Sequence, residues 1–190
     1  MNTRNSHTKL FALFLSIAML SSCINDDKED WEGANIQVGD KLPEFSVKMN
    51  DGRTITHETV IGKVSVILLF TTTCPDCQKQ FPIIEQLYSS FKDNPEVIMI
   101  GISRAEGESI VGKFWDEKGY KFPYSSQEDR TVYSLFASSG VPRIFISDKE
   151  GVVQKLTNDN PIATYEELAD KINSLINNYN MTARFDDAGI

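Results

Sequence analysis

Two stretches of the chain stay apolar for a full strand length. VSVILLF (64–70) and EVIMIGIS (96–103) are rich in β-branched residues and nearly free of charge, so each predicts a strand covered on both faces. Upstream, EFSVKM alternates, with Phe45, Val47 and Met49 at every second position. Asn50-Asp51-Gly52 then marks a turn and RTITH resumes, which predicts a hairpin at the edge of the sheet. After residue 74 the period changes. Pro75 suits the first turn of a helix, where its missing N–H has no intrahelical partner, and Phe81, Ile84, Tyr88 and Phe91 define one face. Pro82 lies inside that helix and is expected to bend it.

Residues 107–118 predict a second helix with Ile110, Val111, Phe114 and Trp115 inward, and 130–137 a short third one. RIFIS (143–147) follows Val141-Pro142, and Asp148-Lys149-Glu150-Gly151 turns it into VVQKL as an antiparallel hairpin. Thr164 and Glu167 form a capping-box pair ahead of Tyr165, Leu168, Ile172, Leu175 and Ile176 at helical spacing. The order of elements predicts an α/β domain over residues 36–179. A βαβ half and a hairpin-plus-helix half share one mixed central sheet with helices on both faces. Residues 180–190 read as a flexible tail.

The ends of the chain have a different character. Arg4 and Lys9 precede the short apolar run LFALFLSIAML (10–20), which predicts a signal peptide over residues 1–22 rather than a membrane span. Leu20-Ser21-Ser22-Cys23 resembles a bacterial lipobox, which implies lipidation of Cys23 and anchoring in a membrane through acyl chains. Asp26, Asp27, Glu29 and Asp30 make residues 23–35 an acidic tether. That stretch is similar to the acidic export signal of lipoproteins in the Bacteroides group. The expected location is the cell envelope, lipid-anchored to the outer membrane, facing the periplasm or the surface.

Charge narrows the functions. The formal net charge is −8, and once Arg4 and Lys9 are set aside 17 basic side chains face 27 acidic ones. No basic patch, phosphate loop or repeat stands out, which argues against nucleic acid as a partner. Of the three cysteines, Cys74 and Cys77 remain if Cys23 is lipidated. In an oxidising envelope such a pair cycles between dithiol and disulfide unless it is kept reduced. Three readings compete: a redox dithiol, half of a metal site, or two small core residues. A structural zinc wants four ligands, and outside the signal segment only His57 supplements the pair, so no metal and no cofactor is expected. Packing alone is a poor reason for cysteines beside Pro75 and Asp76. At the start of a helix, unpaired N–H groups favour a thiolate on Cys74, and Cys77 lies one turn away, in reach of a disulfide. Asp76 opposes that thiolate while Lys79 and Arg143 are expected to support it, which predicts a modestly lowered Cys74 pKa.

CPDC between a buried strand and a helix, with Val141-Pro142 ahead of a later strand, resembles the thioredoxin-fold proteins, and more closely the envelope thiol reductases of the TlpA/ResA type. Shared features are the N-terminal β-hairpin, an inserted mid-chain helix and a proline near the second cysteine, here Pro82. The resemblance implies a thiol–disulfide oxidoreductase, reductase or isomerase, with Cys74 attacking and Cys77 resolving. It further implies a cis Pro142, with Val141, Pro142, Thr73, Pro75 and Asp76 contacting substrate. The implied partners are disulfide-bonded proteins and a membrane-embedded thiol electron donor. Three positions depart from the family pattern: Thr73 stands where a tryptophan is common, Gln80 where many relatives have glutamate, and Leu68 near the buried acid of thioredoxins proper. The usual acid–base partner of Cys77 is therefore missing, leaving Glu106 or Glu108 as candidates from elsewhere. Two alternatives stand beside this reading. Thr71-Thr72-Thr73-Cys74 also resembles the TxxC motif of peroxiredoxins, although Ile67 replaces an expected proline and Arg104 or Arg143 would have to supply the arginine. A non-catalytic surface lipoprotein on a thioredoxin fold is the other.

Overall fold

The computed structural model describes residues 32–187, with side chains through residue 179. The signal segment, Cys23 and the acidic stretch up to residue 31 lie outside the described residues, as does the end of the tail beyond 187.

β3 (Val64–Phe70) is the middle strand, and every residue in it is buried. The five-stranded sheet has the order β5-β4-β3-β6-β7. β4 (Val97–Ser103) runs parallel to β3, and the two-residue β5 (Tyr124–Ser125) parallel to β4. On the other side β6 (Arg143–Ser147) runs antiparallel to β3, and β7 (Val153–Thr157) antiparallel to β6. This is the mixed sheet expected from the order of elements, in a thioredoxin-like α/β arrangement.

Side chains alternate across β3, so each face builds its own core. Val64, Val66, Leu68 and Phe70 join the buried residues of α2 (Pro75–Phe91), α3 (Glu108–Lys118) and α5 (Tyr165–Asp187). Ile67 and Leu69 face the hairpin β1 (Ser46–Lys48) and β2 (Thr54–Thr56), α1 (His57–Val60) and α4 (Tyr133–Phe136). Helices therefore cover both faces, with the long ones on one side.

The first core is built around an aromatic cluster. Phe81 packs its ring centroid 5.4 Å from Phe70, 5.3 Å from Trp115 and 6.2 Å from Phe122. Gly101 makes room for this cluster: a Cβ there would stand 3.0 Å from the Phe70 ring and 3.3 Å from Phe122. The Trp115 indole N–H donates to the Phe122 carbonyl at 3.0 Å, which satisfies its polar edge in the core. Gly119 ends α3 at φ 72°, a left-handed conformation that suits glycine.

Five expectations need correction. The N-terminal hairpin does not extend the main sheet; it forms a two-stranded sheet of its own. Its turn meets the β5 edge instead, through Asn50 N–H to the Tyr124 carbonyl and Ser125 Oγ–H to the Lys48 carbonyl. RTITH ends as a strand at Thr56, because Thr56 and Thr59 cap α1 reciprocally and His57 begins that helix. Ile110 is half-exposed, since Val111 and Trp115 define the buried side of α3. α5 continues to Asp187, past the boundary expected at residue 179. Its start uses half of the expected box. Thr164 Oγ1 accepts from Glu167 N–H at 3.2 Å, whereas the Glu167 carboxylate pairs with Lys155 at 2.6 Å.

Phe81→Ala is expected to lower unfolding free energy by about 3–5 kcal/mol, measured by urea denaturation, because it empties the centre of the aromatic cluster.

Candidate active site

The end of β3 runs through Thr71, Thr72 and Thr73 into α2. Cys74 is the N-cap residue and Pro75 the first residue of the helix. Cys74 has extended backbone angles, and its carbonyl accepts the Gln78 N–H at 3.0 Å. Gln78 also donates through Nε2 to the Thr72 carbonyl at 2.7 Å, tying the threonine loop to the first helical turn.

Cys74 and Cys77 are both free thiols. Cys74 is partly exposed, whereas Cys77 is fully buried among Leu68, Phe70 and Phe81. The Cys74 side chain is close enough to influence the Cys77 thiol. Burial pushes the Cys77 thiol well above its ordinary pKa of 9.0; the Thr71 backbone N–H opposes this, and charge on Cys74 and on Glu106 adds to it. The helix turn thus presents one accessible sulfur and holds the other as a protonated thiol behind it.

The second wall is the loop before β6. The Val141–Pro142 peptide bond is cis, as the resemblance implied, and the Cys74 S–H donates to the Val141 carbonyl at 3.4 Å. The loop is held from behind. Tyr133 O–H donates to the Gly140 carbonyl at 2.9 Å, and Arg143 Nε–H to the Ser139 carbonyl at 2.9 Å. Arg143 Nη2 also donates to the Glu32 carbonyl.

Of the residues expected to contact substrate, Val141 and Thr73 are placed by these contacts beside Cys74, and Pro75 and Asp76 follow it on the exposed helix start. Asp76 pairs with Lys79 at 2.7 Å, and the Lys79 ammonium interacts with Cys74 as a weaker influence beside that pair. Arg143 does not support a thiolate. It pairs in register with Leu69, on the face opposite Cys77, and its bonded nitrogens serve backbone carbonyls. Arg104, the other arginine considered, stacks over the Tyr133 ring at 5.8 Å.

Gln80 lies one turn beyond Cys77, wholly buried, with Nε2 donating to the Ala163 carbonyl at 3.1 Å. Leu68 belongs to the same apolar core. No acid therefore approaches Cys77 from α2 or β3. Of the two carboxylates considered from elsewhere, Glu108 is taken by Tyr124 O–H at 2.7 Å and Ser126 O–H at 2.9 Å. Glu106 does reach the threonine loop. Its Oε2 accepts from Thr72 N–H at 2.6 Å and its Oε1 from Thr73 O–H at 3.4 Å. Among the described residues no group of three or more His, Cys, Asp or Glu side chains could hold a metal ion, and His57 sits at the start of α1.

Residues 38–156 match the AhpC/TSA family. The thiol–disulfide oxidoreductase ResA of Bacillus subtilis strain 168 is 28% identical over 122 residues, covering 64% of this chain and 68% of that protein. ResA of Bacillus thuringiensis strain Al Hakam is 27% identical over 118 residues, covering 62% and 68%. Among solved structures, a Bacteroides thetaiotaomicron protein named as a candidate protein disulfide isomerase superposes with a TM-score of 0.67. It has 28% identity and covers 75% of this chain and 89% of its own. StoA from Bacillus subtilis shares the fold at 18% identity, with a TM-score of 0.56 and coverage of 68% and 96%.

Iodoacetamide at mildly alkaline pH is expected to label Cys74 at least ~10-fold faster than Cys77, read by peptide mass spectrometry, because only the exposed sulfur is accessible. Stability should carry the same signature. Below pH 9.0, the ordinary thiol value, Cys77 is protonated in folded and unfolded chains alike. Above it the unfolded chain releases a proton that the folded chain retains, so unfolding becomes easier as pH rises. Cys77→Ala should flatten that alkaline decline in denaturant titrations.

Proposed function

The chain belongs to the AhpC/TSA family and is a thiol–disulfide oxidoreductase of the ResA/TlpA-like kind, and we propose that it works as a reductase or isomerase through Cys74 and Cys77. The observation that carries this reading is the pairing of an accessible Cys74 with a sealed Cys77 one turn later, opposite the Val141 carbonyl. Cys74 attacks a substrate disulfide and forms a mixed disulfide. Cys77 then attacks the Cys74 sulfur, the substrate leaves as a dithiol, and a Cys74–Cys77 disulfide remains.

Substrate recognition follows from the backbone. An extended segment of a disulfide-bonded protein pairs with the chain at Val141 and crosses Thr73, Pro75 and Asp76, which places its disulfide over Cys74. Each reductive turnover leaves the enzyme oxidised, so a thiol donor has to restore it. A membrane-embedded donor fits a protein held at a membrane by lipid on Cys23, in the cell envelope. Among the described residues no helix is long and apolar enough to cross a membrane.

The geometry favours this over a peroxidase. An arginine aimed at the reactive sulfur would serve that chemistry, and both arginines considered for it are engaged elsewhere. A partly exposed Cys74 one turn before a buried Cys77, with the Cys74 S–H on the Val141 carbonyl, favours it over a purely structural role for the fold.

Insulin reduction with dithiothreitol as donor is expected to fall at least ~100-fold in Cys74→Ser, since a serine hydroxyl does not exchange with disulfides. Cys77→Ser should instead accumulate the mixed disulfide, visible on non-reducing gels. Undiminished turnover by Cys74→Ser, or peroxide consumption outrunning disulfide reduction, would overturn the reading. The anchor is tested separately: Cys23→Ser should move the protein from the membrane fraction to the soluble envelope fraction and abolish incorporation of labelled palmitate.

A further inference from the structure

Resolution of the mixed disulfide requires the Cys77 proton to leave a fully buried site. The helix that carries Cys77 offers no acceptor. Gln80 is neutral and cannot take up a proton, and its Nε2 is committed to Ala163. Asp76 is half-buried and paired with Lys79. From the sheet, Leu68 and Phe70 present only carbon. On the remaining side stands the loop after β4. Arg104 in it is stacked on Tyr133, Glu108 beyond it is bound to Tyr124 and Ser126, and Glu106 alone points its carboxylate at the threonine loop.

Glu106 is held with some care. Ser103 Oγ–H donates to the Glu106 carbonyl at 2.8 Å, and a backbone bridge joins Glu106 to Gln127. The carboxylate accepts from Thr72 N–H and Thr73 O–H, while the neighbouring Thr71 N–H serves the Cys77 sulfur. Carboxylate and thiol thus flank adjacent residues of one short loop. Glu106 is partly exposed and Cys77 is sealed, and the charge on Glu106 is felt at Cys77.

We propose that the Glu106 carboxylate receives the Cys77 proton during resolution and returns it when the dithiol is regenerated. The inference rests on the dithiol reading above. In the resolving step the Cys77 sulfur forms a bond to the Cys74 sulfur and the Cys74–substrate S–S bond breaks. The electron pair leaves with the substrate thiolate, and the proton passes to Glu106 directly or through one bridging water. Glu106 is a positioning and proton-holding residue, supplied from the loop between β4 and α3 rather than from the helix of the cysteines.

The test uses the full chain carrying Cys23→Ser, so that Cys74 and Cys77 are its only thiols. The reduced protein is mixed with 5,5′-dithiobis(2-nitrobenzoate) in a stopped-flow instrument. Attack by Cys74 releases the first thionitrobenzoate, and resolution by Cys77 releases the second. Glu106→Gln keeps an acceptor for Thr72 N–H but does not take up a proton. It is expected to leave the first phase unchanged and slow the second ~10²-fold, with loss of its fall on the acid side. Glu106→Asp should recover part of the rate, and Glu108→Gln should leave both phases as in the parent. An independent readout is the pH dependence of Cys77 alkylation by iodoacetamide, which should move to lower pH in Glu106→Gln because a neighbouring negative charge is removed. A second phase indistinguishable from the parent would overturn the proposal. So would equal slowing in the Gln and Asp variants with an unaltered pH profile, which would make Glu106 a structural strut. Failure of the dithiol reading looks different: the second release would persist in Cys77→Ser, or be absent from the parent.

Discussion

The arrangement depends on the direction of three strands at the centre of the sheet. β3 and β4 are parallel, so both end at the same edge, and β6 is antiparallel to β3, so it begins there. The loops 71–74, 103–107 and 138–142 therefore meet without any of them being long. One brings two thiols on a helix start, one a carboxylate, and one a carbonyl ahead of a cis proline. Burial of β3 on both faces fixes this register. A slip by one residue would turn Phe70 away from the aromatic core and Leu69 into it.

The same packing divides the labour between the two sulfurs. The first turn of α2 rises from the sheet edge, so its start is open to solvent while the face one turn later meets Leu68, Phe70 and Phe81. CPDC spacing alone puts two thiols within disulfide reach. The aromatic cluster makes them unequal, because it takes water away from Cys77 and leaves it at Cys74. In the proposed mechanism the order of attack follows from burial rather than from a difference in side-chain chemistry.

Much of this was legible in the chain. The two uninterrupted apolar runs, Pro75 after Cys74, the turn at 148–151 and the Val141-Pro142 pair are local signals, and each element they predict forms within a residue or two. What the sequence did not disclose is what depends on partners distant in the chain. Tyr124 and Ser125 form a strand because β4 has a free edge, and two residues carry no period of their own. The hairpin at 44–57 has the pattern of a sheet edge, yet it packs on a face, a choice made by the apolar side chains beneath it. Arg143 looked like a cation beside the thiols because it follows Pro142. Its register partner Leu69 turns it to the other face, and only pairing reveals that.

Glu106 and Glu108 show the same limit at the site itself. Two residues apart, similar in type and both near a helix start, they are equivalent in sequence. Gly107 caps α3, so Glu108 belongs to the helix and faces Tyr124, while Glu106 stays in the loop with its backbone bridged to Gln127. A single helix boundary thus separates a carboxylate that braces an edge strand from one that reaches the dithiol loop. Gln80 holds a neutral amide against Ala163 on the α2 side of Cys77, and the carboxylate that reaches the dithiol loop comes from the loop after β4. The thiol pair and its carboxylate are then carried by different elements, so their mutual placement is set by the β3–β4 register rather than by helix geometry.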